Sequence, residues 1–409
     1  MRSDAAVPLH LAQSAEAALG RIDPAVARIL DRSLCGEELS AADALRLWQT
    51  TGPELQALCQ AADELRRRAV GDAITYVVNR NINWTNICFT DCSFCAFGVS
   101  AKDPSAYFHP PERVTEKALE AWERGATEVC MQGGLAAQLT PQRYLEYLRA
   151  VKDPLPEMHV HAFSPAEIDW AMRKWEGSLE EYLRMLREAG LDTIPGTAAE
   201  ILVDEVRREI APKKLMTARW REIITTAHRV GLRSTATYMY GHVEEPRHLV
   251  AHLEVLREIQ RETGGFTEFV PLGFIHYNTR LYNEGDGRPG PGLTEDLRAH
   301  AIPRLYFQGL IDNLQVSWVK LGEKVSQLLM WCGANDFSGT LMEESISRMA
   351  GATAGEYLAP PRIRELVWEI GRVPVERSTT YRHLRTYPTP GVHQPASDIA
   401  PHPALLGAS

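Results

Sequence analysis

The sequence predicts an α/β fold: a (β/α)8 TIM-type barrel with an N-terminal helical extension and a C-terminal helix plus tail. Three observations carry this expectation. From about Tyr76, short β-like runs alternate with amphipathic helical stretches, and the alternation repeats at a spacing of roughly 30–40 residues through eight units. The strand faces that would point inward carry polar residues at every second position. The chain, at 409 residues, is long enough for such a barrel with additions at both ends.

Residues 1–72 read as helical. Ser40 is placed to cap "AADALRL", and Leu55, Leu58 and Leu65 recur at helical spacing before Gly71. The barrel is expected over 73–345. "AITYVVNRNINWTN" is its first strand, and "TEKALEAWERG" a helix capped by Thr115 and stopped by Gly125. "TEVCMQGG", "EMHVHAF", "DTIPG" and "LRSTATYMYGH" are strands two to five. "FTEFVPLGFIH", "DNLQVSWVKLG" and "ANDFSG" are strands six to eight. A C-terminal helical segment, including "RELVWEIG", occupies 346–387, and the proline-rich stretch 388–409 reads as a flexible tail.

In a barrel of this kind the chemistry sits at the C-terminal ends of the strands. Gln132, Gly133 and Gly134 end strand two, Ser164 strand three, Glu200 follows strand four, and Tyr240, His242 and Glu244 end strand five. His276 ends strand six, and Asn335 and Asp336 end strand eight, so all of these are expected at the same mouth. Inside, Asn313, Gln315 and Ser317, Thr235 and Thr237, and His159 and His161 share inward faces. Buried polar groups are costly without partners, so a lumen this polar is expected to hold polar ligands.

Composition narrows the function. The chain is 44% apolar with a net charge of −9, which disfavours a nucleic-acid binder. It shows no apolar run of membrane-spanning length and no secretory leader, and its scattered cysteines point to a reducing cytoplasm. Of seven cysteines, Cys35, Cys59, Cys130 and Cys332 are scattered, which argues against a disulfide framework.

The other three are crowded into "CFTDCSFC": Cys88, Cys92 and Cys95. Thiolates suit zinc or iron–sulfur clusters. Zinc would need a fourth ligand, and His109 is the next candidate, without matching spacing. A [4Fe–4S] cluster held by three thiolates instead keeps one iron open. CxxxCxxC with an aromatic, Phe94, before the last cysteine, on the loop after a first barrel strand, resembles the radical-SAM pattern.

Longer strings sharpen the likeness. "YVVNRNINWTNIC", "GATEVCMQGGL", "AGLDTIPGTAAEIL", "GLRSTATYMYGHVE", "ETGGFTEFVPL", "VSWVKLG" and "GTLMEESISRMAGA" resemble the CofH family, the tyrosine-activating half of deazaflavin synthase. The resemblance spans residues 70 to 382 and implies a radical-SAM barrel. It implies that a deoxyadenosyl radical takes hydrogen from the amine of L-tyrosine. Cα–Cβ cleavage leaves 2-iminoacetate, and the 4-hydroxybenzyl fragment adds to C5 of 5-amino-6-(D-ribitylamino)uracil. It implies an electron donor such as flavodoxin or ferredoxin. Because the chain has one CxxxCxxC, a second radical-SAM cyclase would close the ring.

The same resemblance assigns Cys88, Cys92 and Cys95 to the cluster, and Gln132, Gly133, Gly134, Glu200, Tyr240 and His242 to S-adenosylmethionine. His161, His242, His276 and Asp336 are the catalytic candidates, and Ser164, Gln315, Asn335 and Arg280 the substrate-binding ones. The sequence departs from the family pattern at Gly98 to Ser100, at Leu135, Ala136 and Ala137, and from Gly273 to Arg280. These positions keep open a paralogue with another substrate or acceptor, or an enzyme of the futalosine menaquinone route. A metal hydrolase built on His159 and His161 is the more distant alternative.

Overall fold

The computed structural model describes residues 22–388, and the expected tail, apart from its first residue, lies outside them. Ten strands are present: β1 (Ala73–Val77), β2 (Asn79–Ile82), β3 (Glu128–Met131), β4 (His159–Ala162) and β5 (Thr193–Ile194), followed by β6 (Arg233–Tyr240), β7 (Phe266–Gly273), β8 (Asp336–Gly339), β9 (Val373–Arg377) and β10 (His383–Thr386). β2 to β7 form one parallel sheet in sequence order. β8 pairs parallel with β1, and single bridges at Phe269–Leu314 and Gln315–Asp336 join β7 to β8. The sheet thereby curls round into a barrel.

Helices cover its outside, and their apolar faces account for most of the buried core. Trp84, Trp220 and Trp318 are among the largest fully buried side chains. Burying aromatics of this size is the main favourable contribution to the packing of helix on sheet. Ser40 caps Ala41–Leu47 by accepting the amide of Asp43, and Gly52–Val70 ends at Gly71, both as the sequence indicates. Gly52–Val70 then packs against Leu293–Tyr306. No helix among the described residues is long and apolar enough to cross a membrane.

Four local expectations are corrected. The first strand breaks at Val78, so its upper half pairs with β3 and its lower half with other neighbours. The seventh strand shrinks to bridges at Leu314 and Gln315, because Ser317 starts the helix Trp318–Leu329. Thr115 caps nothing. It lies inside Pro111–Glu123, where Pro111 begins the helix, and its hydroxyl donates to the carbonyl of Ala150 at 2.7 Å. Cys59 and Cys332, scattered in sequence, are joined as a disulfide between segments 273 residues apart.

The C-terminal segment does more than dock a helix. After Pro360–Glu369, β9 runs parallel to the lower half of β1, and β10 returns antiparallel to β9. This hairpin occupies the N-terminal end of the barrel beside β1. Its inward residues reach the lumen from below.

Candidate active site

A cavity of about 410 Å³ runs through the lumen from the cluster loop to the C-terminal hairpin. Cys88, Cys92 and Cys95 all line it at the C-terminal end of β2. The loop that carries them is pinned by its own backbone: Cys88 donates to the Val99 carbonyl at 3.0 Å, and Cys95 to that of Cys92 at 3.1 Å. Asp91 takes a left-handed conformation (φ 52°), turning the chain between the first two thiols. The Thr90 hydroxyl lies 3.0 Å from the sulfur of Cys88 and 3.5 Å from that of Cys92, so one side chain spans two of the three thiols. Burial pushes the Cys92 thiol up to about 11 and the Cys95 thiol upward as well. Thiols like these are poor free nucleophiles and need a cation to ionise them.

Two glycines let the second strand approach that loop. Gly134 donates to the Thr85 carbonyl at 2.8 Å. A β-carbon built on it would lie 2.8 Å from the carbonyl carbon of Ile87, closer still to its oxygen, and 3.1 Å from Cβ of Cys88. Gly98 sits on the other side, where a β-carbon would meet Cys88 Cβ at 3.1 Å. A glycine-lined cradle with three thiols facing one pocket fits a bulky inorganic core. A closed zinc site takes four Cys or His donors, whereas three thiols share this wall and His109 does not line it. The residues present therefore fit a three-thiolate cluster.

Beside the thiols, Gln132 lines the cavity and its Oε1 accepts from the Thr197 hydroxyl at 2.8 Å. Gly133 donates to Glu167 at 3.0 Å, and Glu167 closes a capping box with Ser164. Glu200 sits at positive φ (39°) after β5 and lines the cavity. Its carboxylate accepts from Lys214 at 2.7 Å, with Arg207 at 3.4 Å. Burial works against the charge, but Lys214 and Arg207 outweigh it and hold Glu200 below the usual carboxylate range. Lys214 also faces the ring of Phe94 at 5.4 Å, so one ammonium links the acid to the cluster loop.

Comparison with known proteins gives a consistent answer. Residues 82–256 match the radical SAM superfamily, and 263–390 the CofH/MqnC C-terminal region. The chain is 49% identical over 357 residues to the 5-amino-6-(D-ribitylamino)uracil–L-tyrosine 4-hydroxyphenyl transferase of Methanothermobacter thermautotrophicus, covering 87% of this chain and 97% of that protein. The chain belongs to the CofH family.

It is also 51% identical over 377 residues to the FO synthase of Mycobacterium leprae, covering 91% of this chain but 43% of that longer protein. The fold is shared with solved structures of low sequence identity. Methylornithine synthase aligns with a TM-score of 0.68 at 18% identity over 85% of this chain and 97% of its own. The hydrogenase maturase HydG of Carboxydothermus hydrogenoformans aligns at 0.70 and 15%, over 91% and 85%.

Within this CofH chain the remaining sequence-predicted residues divide. His161, Ser164 and Gln315 line the cavity. His161 bonds the Thr193 hydroxyl at 2.7 Å, and burial holds its pKa down to about 4, so it is neutral. The others lie elsewhere. Tyr240 points to the helical side of the sheet, its hydroxyl donating to Asp296 at 2.7 Å. His242 is fully buried off the cavity wall, 3.1 Å from the carbonyl of Met239. His276 packs against Tyr277 and Tyr282, with ring centroids at 4.0 and 4.4 Å.

Asn335 and Asp336 stand at the start of β8 rather than its end, because the strand begins at Asp336. Asn335 accepts from Arg304 at 2.8 Å, and Asp336 holds Arg377 at 2.5 and 3.1 Å. Neither lines the cavity. Arg280 is half-exposed and pairs with Asp91 at 3.2 Å, bracing the cluster loop.

Sequence reasoning missed Glu128, Glu167, Lys214, Glu268, Lys320, Arg377 and Thr379, all on the cavity wall. A signal existed for Glu128 and Glu268. Each is a charged residue inside a strand, on the face that alternation assigns to the lumen.

Proposed function

We propose that the protein transfers the 4-hydroxybenzyl group of L-tyrosine to 5-amino-6-(D-ribitylamino)uracil in deazaflavin biosynthesis. The observation that carries this reading is the near full-length match, at 49% identity, to a protein named for that transfer. Three cysteines open onto a polar lumen in the same chain. The alternative of a different substrate rested on departures from the family pattern. Of these positions Ala137, Tyr277, Thr279 and Arg280 are off the cavity wall, whereas Gly98, Leu135, Phe274 and Ile275 line it, so the alternative keeps a place at the site and rests on them.

A [4Fe–4S] cluster with S-adenosylmethionine at its open iron supplies a one-electron cleavage of the sulfonium and a carbon radical for hydrogen abstraction. Cys88, Cys92 and Cys95 would hold the cluster. Gln132, Gly133, Gly134 and Glu200 border the space beside it for the nucleotide's amino and ribose groups. Lys320 lines the cavity, and while its backbone amide donates to the Ser317 carbonyl at 3.0 Å, its side chain has no hydrogen bond or ion pair among the described residues. Its ammonium is suited to the tyrosine carboxylate. Neutral His161 can accept or donate a proton without first losing one. An electron must come from a reduced flavodoxin or ferredoxin, and a second radical-SAM cyclase would complete the deazaflavin ring. All of this fits a cytoplasmic enzyme.

Anaerobic reconstitution followed by incubation with tyrosine, the ribitylaminouracil, S-adenosylmethionine and reductant tests the proposal. Deoxyadenosine and the hydroxybenzyl adduct are expected together. The Cys92→Ala protein should bind almost no iron and form neither. Turnover only with a futalosine-type nucleoside would overturn the assignment.

A further inference from the structure

The half of the cavity farthest from the cysteines is built differently from the rest, and the C-terminal hairpin closes it. Arg377 and Thr379 enter from the hairpin to face Glu128 of β3, Glu268 of β7 and Gln315. Arg377 is held by Asp336 at 2.5 Å and by Glu268 at 3.5 Å, so its charge is already matched by carboxylates. Glu268 receives Gln315 at 2.9 Å and the Tyr381 hydroxyl, both on Oε2. Its Oε1 has no hydrogen bond among the described residues. Glu128 receives Asn79 at 2.8 Å on one oxygen.

This floor is rich in acceptors, short of free positive charge and walled by side chains that are themselves fixed. A second carboxylate would be repelled there, which excludes the amino-acid end of tyrosine. A run of vicinal hydroxyls suits it, since each hydroxyl donates one hydrogen bond and accepts others. Resting on the function proposed above, we infer that this floor, with Thr379 supplied by the C-terminal hairpin, is the binding site for the polyol chain of the acceptor. The uracil ring then lies toward the cysteines, where the incoming fragment is generated.

The test compares the ribitylaminouracil with 5,6-diaminouracil, which lacks the polyol, as titrants and as acceptors of the reconstituted enzyme. A site built around substrate hydroxyls should favour the first by about 100-fold or more. Thr379→Val and Gln315→Leu should each cut that preference by roughly tenfold, in calorimetric affinity and in kcat/KM alike. Thr379→Ser should restore it, and the ratio of two ligands on one protein is insensitive to the fraction folded. An unchanged preference in both variants, or a raised KM for tyrosine alone, would overturn the inference and give the floor to the phenol. If wild-type enzyme bound neither uracil, the functional reading itself would fall.

Discussion

Replacing Gly134 with alanine puts one methyl group where the cluster loop already is. The β-carbon would lie 2.8 Å from the carbonyl carbon of Ile87 and 3.1 Å from Cβ of Cys88, whereas ordinary contact begins at 3.4 Å. The neighbours are Cys88, which carries the first thiol, and the residue before it, and the Ile87 atom is backbone, which cannot rotate aside. The loop must retreat by about half an ångström at that carbon and by more at the oxygen. Overpacking of this kind costs roughly 1–3 kcal/mol, small against the stability of a barrel. A displacement that size at a ligand is large on the scale of metal–sulfur bonding, where distances hold within about 0.2 Å. Gly134→Ala should therefore fold, with a circular-dichroism spectrum like wild type. It should retain less than about half the iron and sulfide after anaerobic reconstitution and desalting. Normal iron content with a normal visible spectrum would show that the loop has slack, and the argument from the cradle would fail.

Lys214→Met strips Glu200 of its nearer partner and should destabilise the fold by roughly 3 kcal/mol in chemical denaturation. The double variant Lys214→Met with Glu200→Leu should recover part of that loss, and simple additivity would refute the coupling. Tyr240→Phe removes a buried bond to Asp296 and should cost about 1 kcal/mol without altering S-adenosylmethionine affinity measured by calorimetry. A weakened affinity would return Tyr240 to the cofactor pocket. Burial holds His161, His228 and His300 down to about 4 and His252 to about 3, so these rings stay neutral in the folded chain. The unfolded chain protonates them near pH 6.5, so the stability they contribute above that pH is lost as it falls toward 4. Glu167 and Glu268, raised to about 7 by burial, and Asp296, raised to about 6, oppose this, since their protonated forms favour the folded state. The histidines are the larger group, and a net loss of roughly 1 kcal/mol per pH unit is expected between 6.5 and 5. Denaturation midpoints independent of pH in that window would contradict it.

Much of the fold, and the convergence of Cys88, Cys92 and Cys95 on one cavity, could be read from local pattern. Alternating inward residues such as Thr235, Thr237 and Gln315 do line the lumen. The cysteines needed only their spacing and a place after the first strand. What could not be read depends on where a strand begins or which side a residue faces near its end. Asp336 reads as a strand-end acid, but β8 starts there, which puts it at the opposite end of the strand from the mouth, paired with Thr75 of β1. Tyr240 and His242 follow the inward-facing Thr237 by three and five residues, both odd steps, so alternation already turns Tyr240 away from the lumen, and the chain then bends at Gly241 (φ 92°) before His242. Lys214 and Arg377 were invisible for another reason. Each comes from outside the β-to-α loops and reaches the site only through tertiary packing.

The C-terminal hairpin stands beside the lower half of β1, so the far end of the cavity is walled by a segment that the eight barrel units do not supply. On the proposed function, a molecule resting innermost would have to arrive before the nucleotide and leave after it, and a chain shortened before Val373 would open that end to water from beneath.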